Sequence, residues 1–432
     1  MSKKNDLEHT STMLGSQNMK SSQRMVSVVE PYELPEGWKW CRLGDVAKII
    51  MGQSPAGTSM TENQNDIAFI GGASDMGEEL PNISRYTSEP TKLSKRDDVI
   101  VCIRATLGRP IFSDGIYCLG RGVAGIRSET LMKEYIKYGF LNFEQYLYDK
   151  ATGSTFLQVS SKYLNEMPFP LPPTLAEQQR IVNRIESMFA KLDEAKEKAQ
   201  NVVDGFETRK AAILHKAFTG ELTAKWRKEN GVSYDSWEEK TIGECCKSLK
   251  YGTAKKSESS GKVAVIRMGN LKRGEIVYDD LVFSNDEEDI VKYLLSKGDI
   301  LFNRTNSPEW VGKTSIYRGD IPAIYAGYLI KLDYEKSLLV GDYLNYVLNS
   351  PNAKEYCNSV KTDGVNQSNI NAQKIGAYVI PVPTLPEQVD IVRILDIIIE
   401  KENKAKQAAE AVLEQIDLLK KSILARAFRG EL

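Results

Sequence analysis

Pro173-Thr174-Leu175-Ala176-Glu177-Gln178 and Pro383-Thr384-Leu385-Pro386-Glu387-Gln388 are nearly the same six residues written twice. Further on, Lys216-Ala217-Phe218-Thr219-Gly220-Glu221-Leu222 returns as Arg426-Ala427-Phe428-Arg429-Gly430-Glu431-Leu432. Both pairs of blocks lie 210 positions apart, from 173 to 383 and from 218 to 428. Such self-similarity outranks any single motif in deciding a fold. No net insertion or deletion separates the blocks, so something fixes the length of the segment between them.

That segment reads as a long helix. Thr174 with Glu177, and Thr384 with Glu387, have the spacing of a capping box. Pro386 falls in the first turn, where proline is tolerated. Gly220 and Gly430 sit where C-terminal caps are expected. In the first copy Ile181, Ile185, Met188, Leu192, Ala195, Ala199, Val202 and Phe206 recur at spacings of four and three. The second copy offers Ile391, Leu395, Ile398, Ala405, Ala409, Val412, Ile416, Leu419 and Ile423, broken only by Glu402. So narrow a stripe predicts a coiled coil. From Gln178 to Phe218 the rise is roughly 60 Å. A compact unit returns its chain near its point of entry, so the helices are expected to pair antiparallel. That arrangement implies a pseudo-twofold axis with two related heads at opposite ends.

The regions before the helices are related more weakly. Trp38-Lys39-Trp40-Cys41-Arg42-Leu43-Gly44-Asp45 resembles Trp237-Glu238-Glu239-Lys240-Thr241-Ile242-Gly243-Glu244. Asp98-Val99-Ile100-Val101 resembles Asp299-Ile300-Leu301-Phe302, each soon followed by an arginine, Arg104 or Arg304. Short apolar runs between turn residues predict strands over Val263–Met268, Asp299–Phe302 and Ile324–Leu332. Lys133–Tyr148 and Gly341–Asn349 read as short helices. The fold class is α+β, with an N-terminal tail over 1–30 read as disordered. A head spans 31–170, a helix 171–222, a second head 223–380 and a second helix 381–432.

Composition narrows the chemistry. The 432 residues carry 57 Lys+Arg against 58 Asp+Glu, a net charge of −1, so nucleic-acid contact must come from local patches. Two histidines, His9 in the tail and His215 in a helix, disfavour a histidine triad or a multi-histidine metal site. Six cysteines without C-x-x-C spacing favour a reducing cytoplasm and no structural zinc. No apolar run approaches the roughly 20 residues of a membrane span, and no secretory leader is read at the N-terminus. There is no phosphate loop, H-E-x-x-H, G-x-S-x-G or Asn-Pro-Pro-aromatic run. No catalytic residue, metal or cofactor is therefore assigned.

Several loops suit DNA instead. Arginine pairs bidentately with guanine, and Asn or Gln with adenine. The candidates in the first head are Gln53, Ser54, Arg104, Thr106, Arg109, Thr155, Gln158 and Lys162. Those in the second are Thr253, Lys255, Lys256, Asn303, Arg304, Asn306, Lys313, Asn366, Gln367 and Ser368. For any single loop, composition alone favours an ordinary polar turn; their appearance at matching places in both halves favours a shared role.

Leu34-Pro35-x-Gly37-Trp38 with Leu43-Gly44-Asp45, then Pro-x-x-x-Glu-Gln opening a helix that ends Ala-Phe-x-Gly-Glu-Leu, resembles the specificity subunit of type I restriction–modification enzymes. Thr219-Gly220-Glu221-Leu222-Thr223-Ala224-Lys225-Trp226-Arg227 is similar to that family's central conserved region. The resemblance covers roughly residues 31 to 432. It implies two target recognition domains, each reading half of a bipartite site on double-stranded DNA. It implies an antiparallel coiled coil that spaces them and docks two adenine methyltransferase (M) subunits, with ATP-dependent restriction (R) subunits as further partners. It also implies a non-catalytic, cytoplasmic subunit with no membrane contact. A protein–protein adaptor with two heads on a coiled-coil spacer is the rival reading.

Overall fold

The computed structural model describes residues 30–365 and 367–432. The expected tail, but for Glu30, lies outside them, as do His9 and Asn366. Of the described residues, 30–194 together with Ile416–Leu432 form one compact unit; Ala195–Gln415 form the other.

In the first unit a four-stranded antiparallel sheet runs Lys48–Met51, Val123–Arg127, Val99–Arg104, Thr106–Phe112. A smaller sheet places Ile67–Ile70 parallel to Cys118–Leu119. In the second unit six strands run Cys246–Tyr251, Leu329–Tyr334, Ile300–Asn303, Thr314–Ile316, Gly274–Ile276, Leu271–Lys272. There Val263–Ile266 lies parallel to Ala323–Tyr325.

The repeated words have local causes. Lys39–Arg42 pairs with Pro168–Leu171, and Glu238–Thr241 with Val379–Val382. Each ribbon leads straight into its long helix. Asp98 accepts from the Lys95 amide at 2.8 Å and pairs with Arg127 through two bonds of 2.7 Å. Asp299 accepts from the Ser296 amide at 2.9 Å and pairs with Lys331 at 3.1 Å. An aspartate before the strand thus ends the preceding turn and ties the strand to its neighbour.

Several expectations change in detail. The strand expected over Ile324–Leu332 is two, Ala323–Tyr325 and Leu329–Tyr334, parted by a turn closed from Leu329 N to Ala326 O. The helix expected over Lys133–Tyr148 is two, Lys133–Asn142 and Glu144–Lys150. The second long helix is continuous over Leu385–Phe428, whereas the first is Leu175–Asp204 followed by Phe206–Phe218. The break has an identifiable cause. The Arg209 guanidinium lies over Gly205, where a Cβ would clash with it, and Nη2 donates to the Val202 carbonyl at 2.8 Å. A side chain inserted into the ladder disturbs the helix there.

The capping boxes form only in part. Thr174 Oγ1 accepts from the Glu177 amide at 3.2 Å, but the Glu177 carboxylate is taken by Arg180, which holds it below the usual carboxylate range. Thr384 Oγ1 is buried without a partner. Glu387 is fully buried and accepts from Arg227 at 2.6 Å, Thr223 at 2.6 Å and Trp237 at 2.9 Å. Both glycine caps are present, with φ +80° at Gly220 and +72° at Gly430, a region open to glycine at little cost.

Helix pairing is antiparallel in each unit. In the first, Lys420 pairs with Asp193 at 2.5 Å and lies over the Phe189 ring, while Arg180 donates to the Leu432 carbonyl. In the second, Arg209 pairs with Glu402 at 2.7 Å and Lys406 lies over the Phe206 ring. Ile181, Ile185, Phe206, Ile391, Leu395 and Ile416 are buried; Leu192 and Ile423 are half-buried. Ala405, Val412 and Leu419, expected on the second seam, are exposed. Glu402 and Lys406 face the partner helix instead, as Lys420 does in the other unit. Their charged heads are paired and their stems cover apolar surface.

Each long helix is bolted to its head by a glutamine. Gln178 Oε1 accepts from the Met132 amide at 2.9 Å and Nε2 donates to the Thr130 carbonyl at 3.0 Å. Gln388 repeats this with Val340 and Leu338, both at 2.8 Å. Beside them Tyr135 donates to the Pro170 carbonyl and stacks on Phe428. Tyr343 donates to the Pro381 carbonyl and meets Phe218 edge-on. Among the described residues no helix is long and apolar enough to cross a membrane.

Two measurements check this packing. Arg227→Ala strands the buried Glu387 carboxylate and should cost about 3–5 kcal/mol in urea denaturation. Lys420→Ala opens a partly exposed pair and should cost less than about 1 kcal/mol. Equal losses would show that Glu387 does not depend on Arg227. Burial pushes the thiols of Cys41, Cys102 and Cys357 up to about 11 and that of Cys246 to about 12. At pH 8 these four should resist iodoacetamide in the native chain, since the thiolate is the nucleophile, and react after denaturation. Rapid labelling of any of them in the native chain would contradict that burial.

Candidate nucleic-acid interface

The hairpin Val99–Arg104/Thr106–Phe112 turns at Ala105, which has φ +64°. Its tip is joined to a loop before the first long helix. Ala105 N donates to Leu157 O at 2.8 Å, Val159 N to Ile103 O at 2.9 Å, and Arg104 bridges Gln158. The loop closes on itself through Thr152 and Gln158, whose amides and carbonyls exchange bonds of 3.0 and 2.8 Å. Thr155 and Gln158 are exposed on it.

The second head repeats this junction. Ile370 N donates to Arg304 O at 2.8 Å, Thr305–Asn306 pairs with Ser368–Asn369, and Gly364 N donates to Gln367 O at 2.7 Å. The backbone partners give the true register between the heads. Cys102 lies opposite Val123 and Asn303 opposite Leu329. Ile103 N donates to Gly122 O, and Arg304 N to Tyr328 O. Arg304 therefore corresponds to Ile103, and Arg104 to Thr305. The two arginines do not stand at matching places, because one residue along a strand points the side chain to the other face.

Their surroundings differ accordingly. Arg104 is half-buried, its guanidinium 5.6 Å from the Phe156 ring centroid. It lines an open cavity of about 310 Å³ with Ser54, Arg85, Arg121, Phe69 and the backbone of Gly71, Gly72 and Gly122. Arg85 is held there by Asp75 at 2.7 Å, which also accepts from the Gly71 amide. Ser54 Oγ accepts from the Arg121 amide at 3.3 Å. The structure thus brings together Ser54, Arg104 and, through the backbone bridge, Gln158. Gln53 is exposed one residue away, and Thr106 follows the hairpin tip. Arg109 lies further along that strand, Nη2 donating to Met76 O at 3.4 Å. Lys162 is exposed on the short helix Ser161–Asn165.

In the second head Arg304 lies 4.7 Å over the Tyr251 ring, with Nη1 directed at Gly327 O and Nε buried without a partner. Asn303 is fully buried, its Oδ1 accepting from the Thr305 amide and its Nδ2 unpartnered. Thr253 is buried and donates to Asp289. Lys255 is gathered by Asp286, Asp289 and Glu288, which raise its pKa. Lys256 and Gln367 are exposed, Asn306 accepts from the Ser307 amide, and Ser368 is buried and donates to Asp363. Lys313 lies 4.1 Å over Trp310, and burial, with Lys272 nearby, holds its ammonium below the usual lysine range. Asn366 lies outside the described residues.

Sequence reasoning missed Arg85, Arg121 and Phe69. They come from separate loops and strands and meet only in the folded unit. The one available signal is the glycine pair Gly71-Gly72 after the apolar run Ile67–Ile70, and a glycine pair after a strand is ordinarily a turn.

The profile of the family described as "Type I restriction modification DNA specificity domain" matches residues 35–203 and again 234–415. The StySPI specificity subunit of Salmonella potsdam is 23% identical over 423 residues, covering 93% of this chain and 90% of that subunit. The EcoKI specificity subunit of Escherichia coli K12 is 27% identical over 288 residues, covering 65% of this chain and 61% of that subunit. In fold, the chain is similar to the HsdS subunit from Thermoanaerobacter tengcongensis, with TM-score 0.65, 21% identity, and coverage of 93% and 99% of the two chains. With two matched domains spanning most of its length, the chain belongs to the family of type I restriction–modification specificity subunits.

Proposed function

We infer that the chain is the non-catalytic DNA-reading subunit of its complex, recognising a bipartite site on double-stranded DNA. Residues 31–170 and 223–380 serve as the two recognition domains. The helical segments 171–222 and 381–432 dock two adenine methyltransferase subunits, with ATP-dependent restriction subunits joining the assembly. The chain works in the cytoplasm.

The supporting observation is the junction repeated in both heads. A strand end and the loop before the long helix are fastened by the same backbone bonds, while the side chains presented differ. Fixed frames with unlike surfaces suit two half-sites of different sequence. Base edges specify and phosphates position, so exposed Gln158 and Gln367 and half-buried Arg104 suit readout, and exposed Lys162 and Lys256 suit the backbone.

Mapping of methylated adenines, with the chain and its methyltransferase subunits co-expressed, tests this. Arg104→Ala should weaken recognition in one half-site by about 1–3 kcal/mol if the arginine reads a base, leaving the other half-site sequence unchanged. Unaltered methylation at limiting enzyme would remove Arg104 from the interface. Lys256→Ala should weaken binding to all sequences alike and lower the slope of log K against log salt by about one. A sequence-selective loss at Lys256→Ala would reverse that assignment.

A further inference from the structure

The loop Thr152–Gln158 carries two large apolar side chains outward. Phe156 is 54% exposed and Leu157 39%. Such residues normally turn inward, yet nothing about this loop is slack. Gly153, at φ +122°, makes a turn so tight that a Cβ there would strike the Phe156 carbonyl. The loop's two ends exchange backbone bonds, and Leu157 O is held by the amide of Ala105 at the neighbouring hairpin tip. The frame is pinned and its tip is presented.

The chemistry around the tip is cationic. Arg104 packs under the Phe156 ring and also lines the cavity shared with Arg85, Arg121 and Ser54. An aromatic ring beside three guanidiniums and three glycine backbones suits a partner with flat apolar faces and phosphates. The equivalent loop of the second head is built alike at its base, with Gly364 bonded to Gln367, but it presents Val365 and Gln367 where the first presents Ser154 and Phe156. Ser368, the counterpart of Leu157, is turned inward to Asp363.

We propose that Phe156 and Leu157 form an apolar wedge that enters an opened base step in the half-site read by the first head, with Arg85 and Arg121 of the neighbouring cavity holding the flanking phosphates. The proposal rests on the DNA-reading function inferred above. Inserting an apolar side chain unstacks a step and bends the duplex. Stacking of the ring on the uncovered base face offsets that cost. The second head has no aromatic at the corresponding position, so the opening is confined to one half-site.

The test uses the full chain assembled with its methyltransferase subunits. Duplexes bearing the mapped site carry 2-aminopurine singly at each position except the methylated adenine. Fluorescence should rise at one step of one half-site on binding. Phe156→Ala should abolish the rise and weaken specific binding about tenfold, while Phe156→Trp retains both. Specific binding with no rise anywhere, or a rise that survives Phe156→Ala, overturns the wedge. So does a Phe156→Ala variant that keeps the DNA signal but loses methyltransferase subunits, which would mark the loop as a protein contact. A complex that binds no duplex specifically overturns the DNA-reading function itself.

Discussion

A buried primary amide at the start of each long helix holds each head to its helix. Gln178 and Gln388 satisfy one backbone donor and one backbone acceptor of the segment leading into the next head helix. Both side chains are almost wholly withdrawn from water. Leaving either backbone group unpaired there costs about 1–3 kcal/mol, and an apolar replacement leaves two. The amide therefore fixes where the helix departs from the sheet. Tyr135 and Tyr343 can then reach the ribbon carbonyls, and Phe428 and Phe218 can pack against them.

Around this shared fastening the two units use charge differently. In the second, Glu387 lies at the centre of a buried cluster, and Arg227 also donates to Gly220 O while facing the rings of Tyr234 and Trp237. In the first, Glu177 stays partly exposed and turns to Arg180 on its own helix. There the helix end is covered instead by Tyr32, which donates to the Phe428 carbonyl and lies under Arg429. The same six-residue word thus has its glutamine in one role and its glutamate in two.

This explains what was legible in the sequence. The repeat, the helix ends, the glycine caps and the aspartates before the strands are local features, and they read directly. The break at Gly205 did not, because it depends on Arg209 competing for a carbonyl. The second seam slipped because Lys406 and Glu402 look polar, yet ring and ion-pair contacts turn them inward. The capping boxes failed where Arg227, 160 residues away, claimed the glutamate. In the candidate interface the loops were legible as polar turns, but Arg104 and Arg304 were matched only because each soon follows its strand. Counted from the matched aspartates, Arg104 lies six residues beyond Asp98 and Arg304 five beyond Asp299, and backbone pairing bears out that one-residue offset, which gives them different neighbours.

The loop closed by Thr152 and Gln158 separates what holds it together from what it presents. Its strength resides in backbone bonds and in Gly153, while Ser154, Thr155 and Phe156 lie exposed beyond that closure. Exposed substitutions away from such bonds usually change stability by less than about 0.5 kcal/mol. Under the DNA-reading function inferred above, successive replacements at the tip would alter the surface offered to DNA without passing through an unfolded intermediate. For the stability of the fold, that loop is nearly neutral ground for mutation.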